Sequence, residues 1–161
     1  MKDYFETNEK TDLQMMYEFN NATRLFEGIT PTKEKEQYDA TGYKRSRTFA
    51  IELKHRFVPL EKYNSMFIED YKFAALMMEN IINGKEPLYV CFLEGGYTLI
   101  YNLLKLTRMP QLRVLNIKSE GYDKMQCSER RYLLSFDDAV IFKDNKMIKP
   151  MGEKCQTQQY S

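Results

Sequence analysis

Asp39-Ala40-Thr41-Gly42-Tyr43-Lys44-Arg45-Ser46-Arg47-Thr48-Phe49-Ala50-Ile51-Glu52-Leu53-Lys54 carries an acid at each end of a stretch that folds back on itself. A glycine-containing basic connection, Gly42 to Ser46, leads into the apolar run Phe49-Ala50-Ile51. Read as a β-hairpin, the segment has a natural register. Asp39 faces Glu52, Thr41 faces Ala50, and the turn falls between Arg45 and Ser46, within the polar residues where a turn belongs. Side chains alternate along a strand, so Ala50, Glu52 and Lys54 share one face. Phe49, Ile51 and Leu53 share the other, which is the expected core face.

Directly paired residues bring their Cβ atoms to about 4.5–5.5 Å. Two carboxylates that close repel each other unless a cation lies between them. A hard divalent ion such as Mg²⁺ takes oxygen ligands and keeps several waters, and the Leu53 carbonyl is a further oxygen within the same segment. A lysine beside such an ion orients water and offsets charge on a phosphate. Glu-x-Lys alone is a common tripeptide whose ordinary reading is a solvated strand face. Its setting here is more particular: an apolar strand, a matching hairpin register, a helix downstream and then a second apolar strand.

These residues resemble the PD-(D/E)XK nuclease superfamily, which includes many restriction enzymes, archaeal-type Holliday-junction resolvases and small phage nucleases. Asp39 matches the first acid and Glu52-Leu53-Lys54 the (D/E)-x-K; Tyr38 stands where the motif has proline. The resemblance covers residues 8–101. It implies a three-layer α/β/α core with a central mixed sheet flanked by helices, Mg²⁺ (with Mn²⁺ able to substitute) held by Asp39, Glu52 and the Leu53 carbonyl, and Lys54 as the catalytic lysine. It further implies hydrolysis of a nucleic acid, DNA in preference to RNA, with a homodimer and a targeting partner protein both compatible. A first-helix glutamate joins the site in many relatives; Glu9 and Glu18 are the candidates. The competing reading is a non-catalytic nucleic-acid-binding or assembly protein on the same fold.

The bulk properties narrow the class. A chain of 161 residues with 43% hydrophobic and 29% charged residues fits one folded domain. We take residues 1–161 as that domain, with 102–150 as a C-terminal extension and 151–161 as a polar tail. No apolar stretch approaches a membrane span and the N-terminus lacks a signal-like apolar region, so the expected location is cytoplasmic, without membrane partners. A net charge of +1 disfavours a protein that coats DNA, while leaving room for a local basic track. Lys44, Arg45 and Arg47 at the hairpin tip and Arg56 beyond the motif are the candidate nucleic-acid contacts. Cys91, Cys127 and Cys155 show no zinc spacing, and Cys91 lies in an apolar run that predicts a buried thiol. His55 is the sole histidine.

Helical spacing of Leu13, Met16, Tyr17 and Asn20 predicts a helix over about 9–26. A second is predicted over 64–82, with Phe67, Tyr71, Ala74, Ala75, Met78 and Ile82 as a core-facing stripe. Glu69 and Lys72 are then neighbours on one helix face and candidates for support of the metal site. Leu88 to Leu93 reads as a central strand, and Gly95-Gly96 turns it into a hairpin with Tyr97 to Tyr101. Arg113 to Ile117 and Tyr132 to Leu134 are further strand candidates, with a short helical turn at Asp137-Asp138.

Overall fold

The computed structural model describes residues 2–33, 36–118 and 126–153. Helix α1 (Lys2–Thr23) is followed by strands β1 (Gly28–Pro31), β2 (Ala40–Lys44), β3 (Arg47–Arg56) and β4 (Ser65–Glu69). Helix α2 (Asp70–Asn83) leads to β5 (Glu86–Leu93), β6 (Tyr97–Asn102), β7 (Gln111–Lys118), β8 (Gln126–Ser135), β9 (Ala139–Lys143) and β10 (Lys146–Lys149). The main sheet runs β1-β2-β3-β5-β6-β9-β10, and a second, three-stranded sheet runs β4-β8-β7. The β3–β5 pairing is parallel and every other pairing in the main sheet is antiparallel. The fold is therefore mixed α/β around a central mixed sheet, as expected.

The β2–β3 hairpin has the register that the charge pattern suggested: Ala40 pairs Ile51, Thr41 pairs Ala50 and Lys44 pairs Arg47. Arg45 takes a left-handed conformation (φ 54°) in the two-residue turn. Gly42 allows close packing: a Cβ there would lie 2.9 Å from the Ile51 side chain and 3.0 Å from Phe26, so those side chains would have to shift.

Both faces of the sheet are covered. Phe49, Ile51 and Leu53 pack with Leu88, Val90 and Phe92 of β5 and with Met16 and Phe19 of α1. Ala50 on the opposite face packs with Tyr89, Cys91 and Leu93 of β5, Phe73 and Leu76 of α2, and Met66, Ile68 and Leu134 of the second sheet. Parallel strands covered on both sides read as continuous apolar runs, which is why Leu88–Leu93 shows no alternation. Cys91 is a buried free thiol; Cys127 and Cys155 lie outside the residues whose side chains are described. Strands β9 and β10 return from the C-terminal third to pair beside β6, so that part of the chain completes the main sheet.

Three sequence expectations change. The 64–82 segment is not one helix: Ser65–Glu69 is a strand that pairs β8 from Ser65↔Ser135 to Glu69↔Arg131, and its Met66 and Ile68 turn to the core with period two. α2 begins at Asp70 and ends where Gly84 (φ 67°) donates its N–H to the Asn80 carbonyl. The buried face of α2 is Phe73 and Leu76, whereas Tyr71, Ala74, Met78, Ile81 and Ile82 face solvent. Helix α1 likewise buries Met16 and Phe19 and exposes Tyr17.

Candidate active site

β3 outruns its neighbour β2, and that mismatch builds the site. Ala40 is the last β2 residue to pair, opposite Ile51, while β3 continues along β5 as far as Arg56↔Leu93. The β3 backbone past Ile51 thus has no strand on its β2 side, and its N–H groups need other acceptors. Asp39 fills the first vacancy: its N–H donates to the Ile51 carbonyl at 3.0 Å, and its Oδ2 accepts from the Leu53 N–H at 2.7 Å. Asp12 of α1 fills the next by accepting from the backbone N–H of His55. In a strand the N–H and C=O of one residue point the same way, so the Leu53 carbonyl faces this same open edge.

Glu52 projects from β3 beneath α2, with only 7% of its side chain exposed. Lys72, in the first turn of α2, brings its Nζ to 3.0 Å from Oε1 and 3.1 Å from Oε2 of Glu52 and also donates to the Gln37 carbonyl. Lys54 Nζ lies 3.8 Å from Glu69 Oε1. Glu69 closes β4 and immediately precedes α2, so it and Lys72 reach the site from the junction of a strand and a helix rather than from one helical face.

The electrostatics are those of crowded acids. Burial, then the charge of Asp39, pushes Glu52 up to about 8 despite Lys72 and Lys54. Asp39 is raised by burial, against the Leu53 N–H, the Lys72 and Lys54 charges and a hydrogen bond with Glu52. Asp12 is raised by burial and by Asp39, against His55 and Lys54. A hard cation between Asp39 and Glu52 would relieve their mutual repulsion, and the donors present are oxygens, which fits Mg²⁺ or Mn²⁺. No three Asp, Glu, His or Cys side chains among the described residues are grouped to enclose an ion. A small set of carboxylates that leaves positions for water and phosphate is the usual Mg²⁺ arrangement.

The structure therefore brings Asp39, Glu52, Lys54, Glu69 and Lys72 together and adds Asp12, which the sequence reading missed. Of the two glutamates considered, Glu18 is exposed and accepts a hydrogen bond from Gln14, and the side chain of Glu9 lies outside the described residues. A signal for Asp12 did exist. It stands four residues before Met16 and seven before Phe19, an acid on the buried face of α1.

The basic residues assigned to nucleic acid are not gathered here. Lys44, Arg45 and Arg47 sit at the hairpin tip, about 24 Å along the strand from Lys54. Arg47 is held by Glu86 in a bidentate pair at 2.6 Å. Arg56 is closer to the site, but its guanidinium turns inward, 3.7 Å from the Phe67 ring centroid, and donates to the Phe67 carbonyl and Tyr89 hydroxyl at 3.2 Å. No described helix is long and apolar enough to cross a membrane.

No protein-family model matches the chain, and no curated protein matches it. Among solved structures it is similar to Hjc, a Holliday junction resolvase from Archaeoglobus fulgidus. The likeness covers 76% of this chain and 85% of that one, at 13% identity and a TM-score of 0.48.

Proposed function

We propose that the chain is a Mg²⁺-dependent nuclease of the PD-(D/E)XK type that hydrolyses DNA phosphodiester bonds. The observation that carries this reading is the convergence of Asp39, Glu52 and Lys54 on the open edge of β3, with Glu52 buried beside a second acid. Asp39, Glu52 and the Leu53 carbonyl would hold the ion. When bound there, a divalent ion supplies Lewis acidity toward a phosphate oxygen and a water acidic enough to attack near neutral pH.

The chain's own groups do the rest. The Leu53 N–H fixes the Asp39 carboxylate, leaving its other oxygen for the ion. Lys54 orients the attacking water and offsets the charge that develops on the scissile phosphate. Glu69 aims Lys54, and Asp12 holds the Leu53–His55 backbone in place through the His55 N–H. Lys72 donates to both oxygens of Glu52 and holds that carboxyl group in place beneath α2.

The direct test is cleavage of circular single- and double-stranded DNA in Mg²⁺ or Mn²⁺, with wild type and Lys54→Ala prepared in parallel. Metal-dependent nicking that the variant loses supports the reading. Equal cleavage by both proteins would remove Lys54 from the chemistry.

One observation favours a second reading. Lys72 already reaches both oxygens of Glu52, so the acid has a partner without metal, as it would in a non-catalytic nucleic-acid-binding or assembly protein. Calorimetric titration with Mn²⁺ separates the two: that protein takes up no ion at Asp39 and Glu52, and Glu52→Gln leaves its isotherm unchanged.

A further inference from the structure

The hairpin tip lies too far from Lys54 to hold the phosphates beside a bond cleaved there, and Arg56 is turned inward. The second sheet offers cations much closer. Its register carries a row of side chains straight across the strands: Glu69 of β4 pairs Arg131 of β8, and Arg131 pairs Arg113 of β7. Residues directly opposite one another share a face. Met66 and Ile68 turn the other face to the core, so Glu69, Arg131 and Arg113 stand on the outer one. That outer face begins at the candidate site. Glu69 reaches Lys54 at 3.8 Å, and the Phe67 ring packs against the guanidinium groups of both Arg56 and Arg131, at 3.7 and 3.8 Å. Neighbouring strands are about 4.8 Å apart, which sets Arg131 about 5 Å and Arg113 about 10 Å beyond Glu69.

We propose that the outer face of the β4-β8-β7 sheet grips the DNA backbone next to the cleaved bond, with Arg113 as a phosphate contact. The choice of DNA rests on the nuclease reading; the place of the grip rests on charge and exposure. Arg113 is exposed and, among the described residues, pairs with no carboxylate; it donates to Gln111 Oε1 at 3.4 Å. The Arg131 side chain is 16% exposed and is held by Glu129 and the Phe67 ring, so it is a fixed positive charge behind Arg113. Lys54, Arg56, Arg131 and Arg113 outnumber Glu69 and Glu129 on this face. A chain of net charge +1 that binds a polyanion needs its surplus cations gathered where the phosphates lie.

The shape of the sheet fits the same use. β4 ends at Glu69, whereas β8 and β7 stay paired for five further positions, from Arg130↔Val114 to Gln126↔Lys118. That two-stranded ribbon runs about 17 Å past the site. β7 is the edge of the sheet, and an edge strand presents backbone N–H groups that can donate to phosphate oxygens.

Fluorescence anisotropy of a labelled duplex oligonucleotide, titrated with the full chain in EDTA, tests the surface without cleavage. Arg113→Glu is expected to weaken binding by about tenfold or more, and Arg113→Ala to reduce the slope of log affinity against log salt by about one. Arg47→Ala removes the same charge at the hairpin tip and is expected to stay within about twofold of wild type. In plasmid nicking with Mn²⁺, Arg113→Ala is expected to be slow at low DNA and equal to wild type at saturating DNA, because Arg113 touches no reacting atom. Unchanged binding by Arg113→Glu, an Arg47→Ala loss as large as that of Arg113→Ala, or a wild type that binds no DNA would each overturn the proposal. The nuclease reading fails separately: a wild type that binds DNA through Arg113 and never nicks it keeps this face and loses the catalysis.

Discussion

Two ion pairs on β3 invite comparison. Near the hairpin tip, Arg47 grips Glu86 with the Arg47 side chain 49% exposed, and the pair pulls the Glu86 carboxyl below its usual range. Five residues along, Lys72 contacts both oxygens of Glu52, yet that carboxyl is pushed up to about 8. The partners are alike in chemistry and opposite in effect. At the tip, solvent carries most of the charge and a hydrogen-bonded guanidinium favours ionisation. At the site, burial and Asp39 disfavour ionisation more than one lysine favours it. A satisfied surface pair and a crowded, charge-hungry carboxylate thus sit on one strand, and only the second has a use for an added cation.

The sharpest way to break this comparison is through activity. Glu52→Gln or Asp39→Asn is expected to lower metal-dependent nicking of plasmid DNA by about 10³-fold or more, and Lys54→Ala by about 10²–10⁴-fold. Glu86→Gln at the other pair should stay within about twofold of wild type. Comparable losses at both pairs would mean that β3 matters to activity as a scaffold and not through its buried end.

Metal binding comes next in size. If Mn²⁺ occupies the Asp39–Glu52 edge in large excess over its Kd, the folded state gains about 2.7 kcal/mol. For a chain of this length that is a rise in Tm of about 5–10 °C. The rise should vanish in Glu52→Gln and persist in Glu86→Gln, as read by thermal melts with and without the ion.

The pH dependence without metal is smaller and has a definite sign. The folded Glu52 pKa lies above its unfolded value, so between about 4.5 and about 8 the native state holds a proton that the unfolded chain has released. This contribution to stability is complete below 4.5 and is lost as the pH rises through about 8. Denaturant midpoints of the metal-free protein should fall across that window, and Glu52→Gln should flatten the fall. Glu86 has the reverse sign: its lowered pKa contributes above its usual value and is lost as the pH drops below it. A midpoint that stays flat between about 4.5 and about 8, or a fall that Glu52→Gln leaves unchanged, would show that Glu52 ionises as an ordinary acid.

Much of the site could be read from the sequence because its determinants are local. A two-residue turn fixes the hairpin register, and that register places Asp39 opposite Glu52. Asp12 and Lys72 arrive from elements distant in sequence, so their approach depends on how α1 and α2 cross the sheet. β4 was hidden because Met66, Phe67 and Ile68 are as apolar as the helix they precede, and only pairing with β8, more than sixty residues away, decides between the two periods. The exposed stripe of α2 misled for a different reason. Periodicity identifies an apolar face but not what covers it, and the face that reaches the core uses Phe73 and Leu76.

Arg47→Ala, the smallest change in the series, isolates what an ordinary pair contributes. Two bonds at 2.6 Å to Glu86 suggest strength, but half of the Arg47 side chain meets solvent, so screening and lost side-chain entropy offset most of the attraction. The expected loss is about 0.5 kcal/mol at low salt, shrinking further at high ionic strength. Asn102 still donates to Glu86 at 3.1 Å, so the variant leaves no unsatisfied acid behind. A loss above about 2 kcal/mol in urea denaturation would mean that the hairpin tip is anchored through this pair. Its contribution would then rival that of a buried contact, and the contrast between the two pairs would lie in their pKa shifts alone.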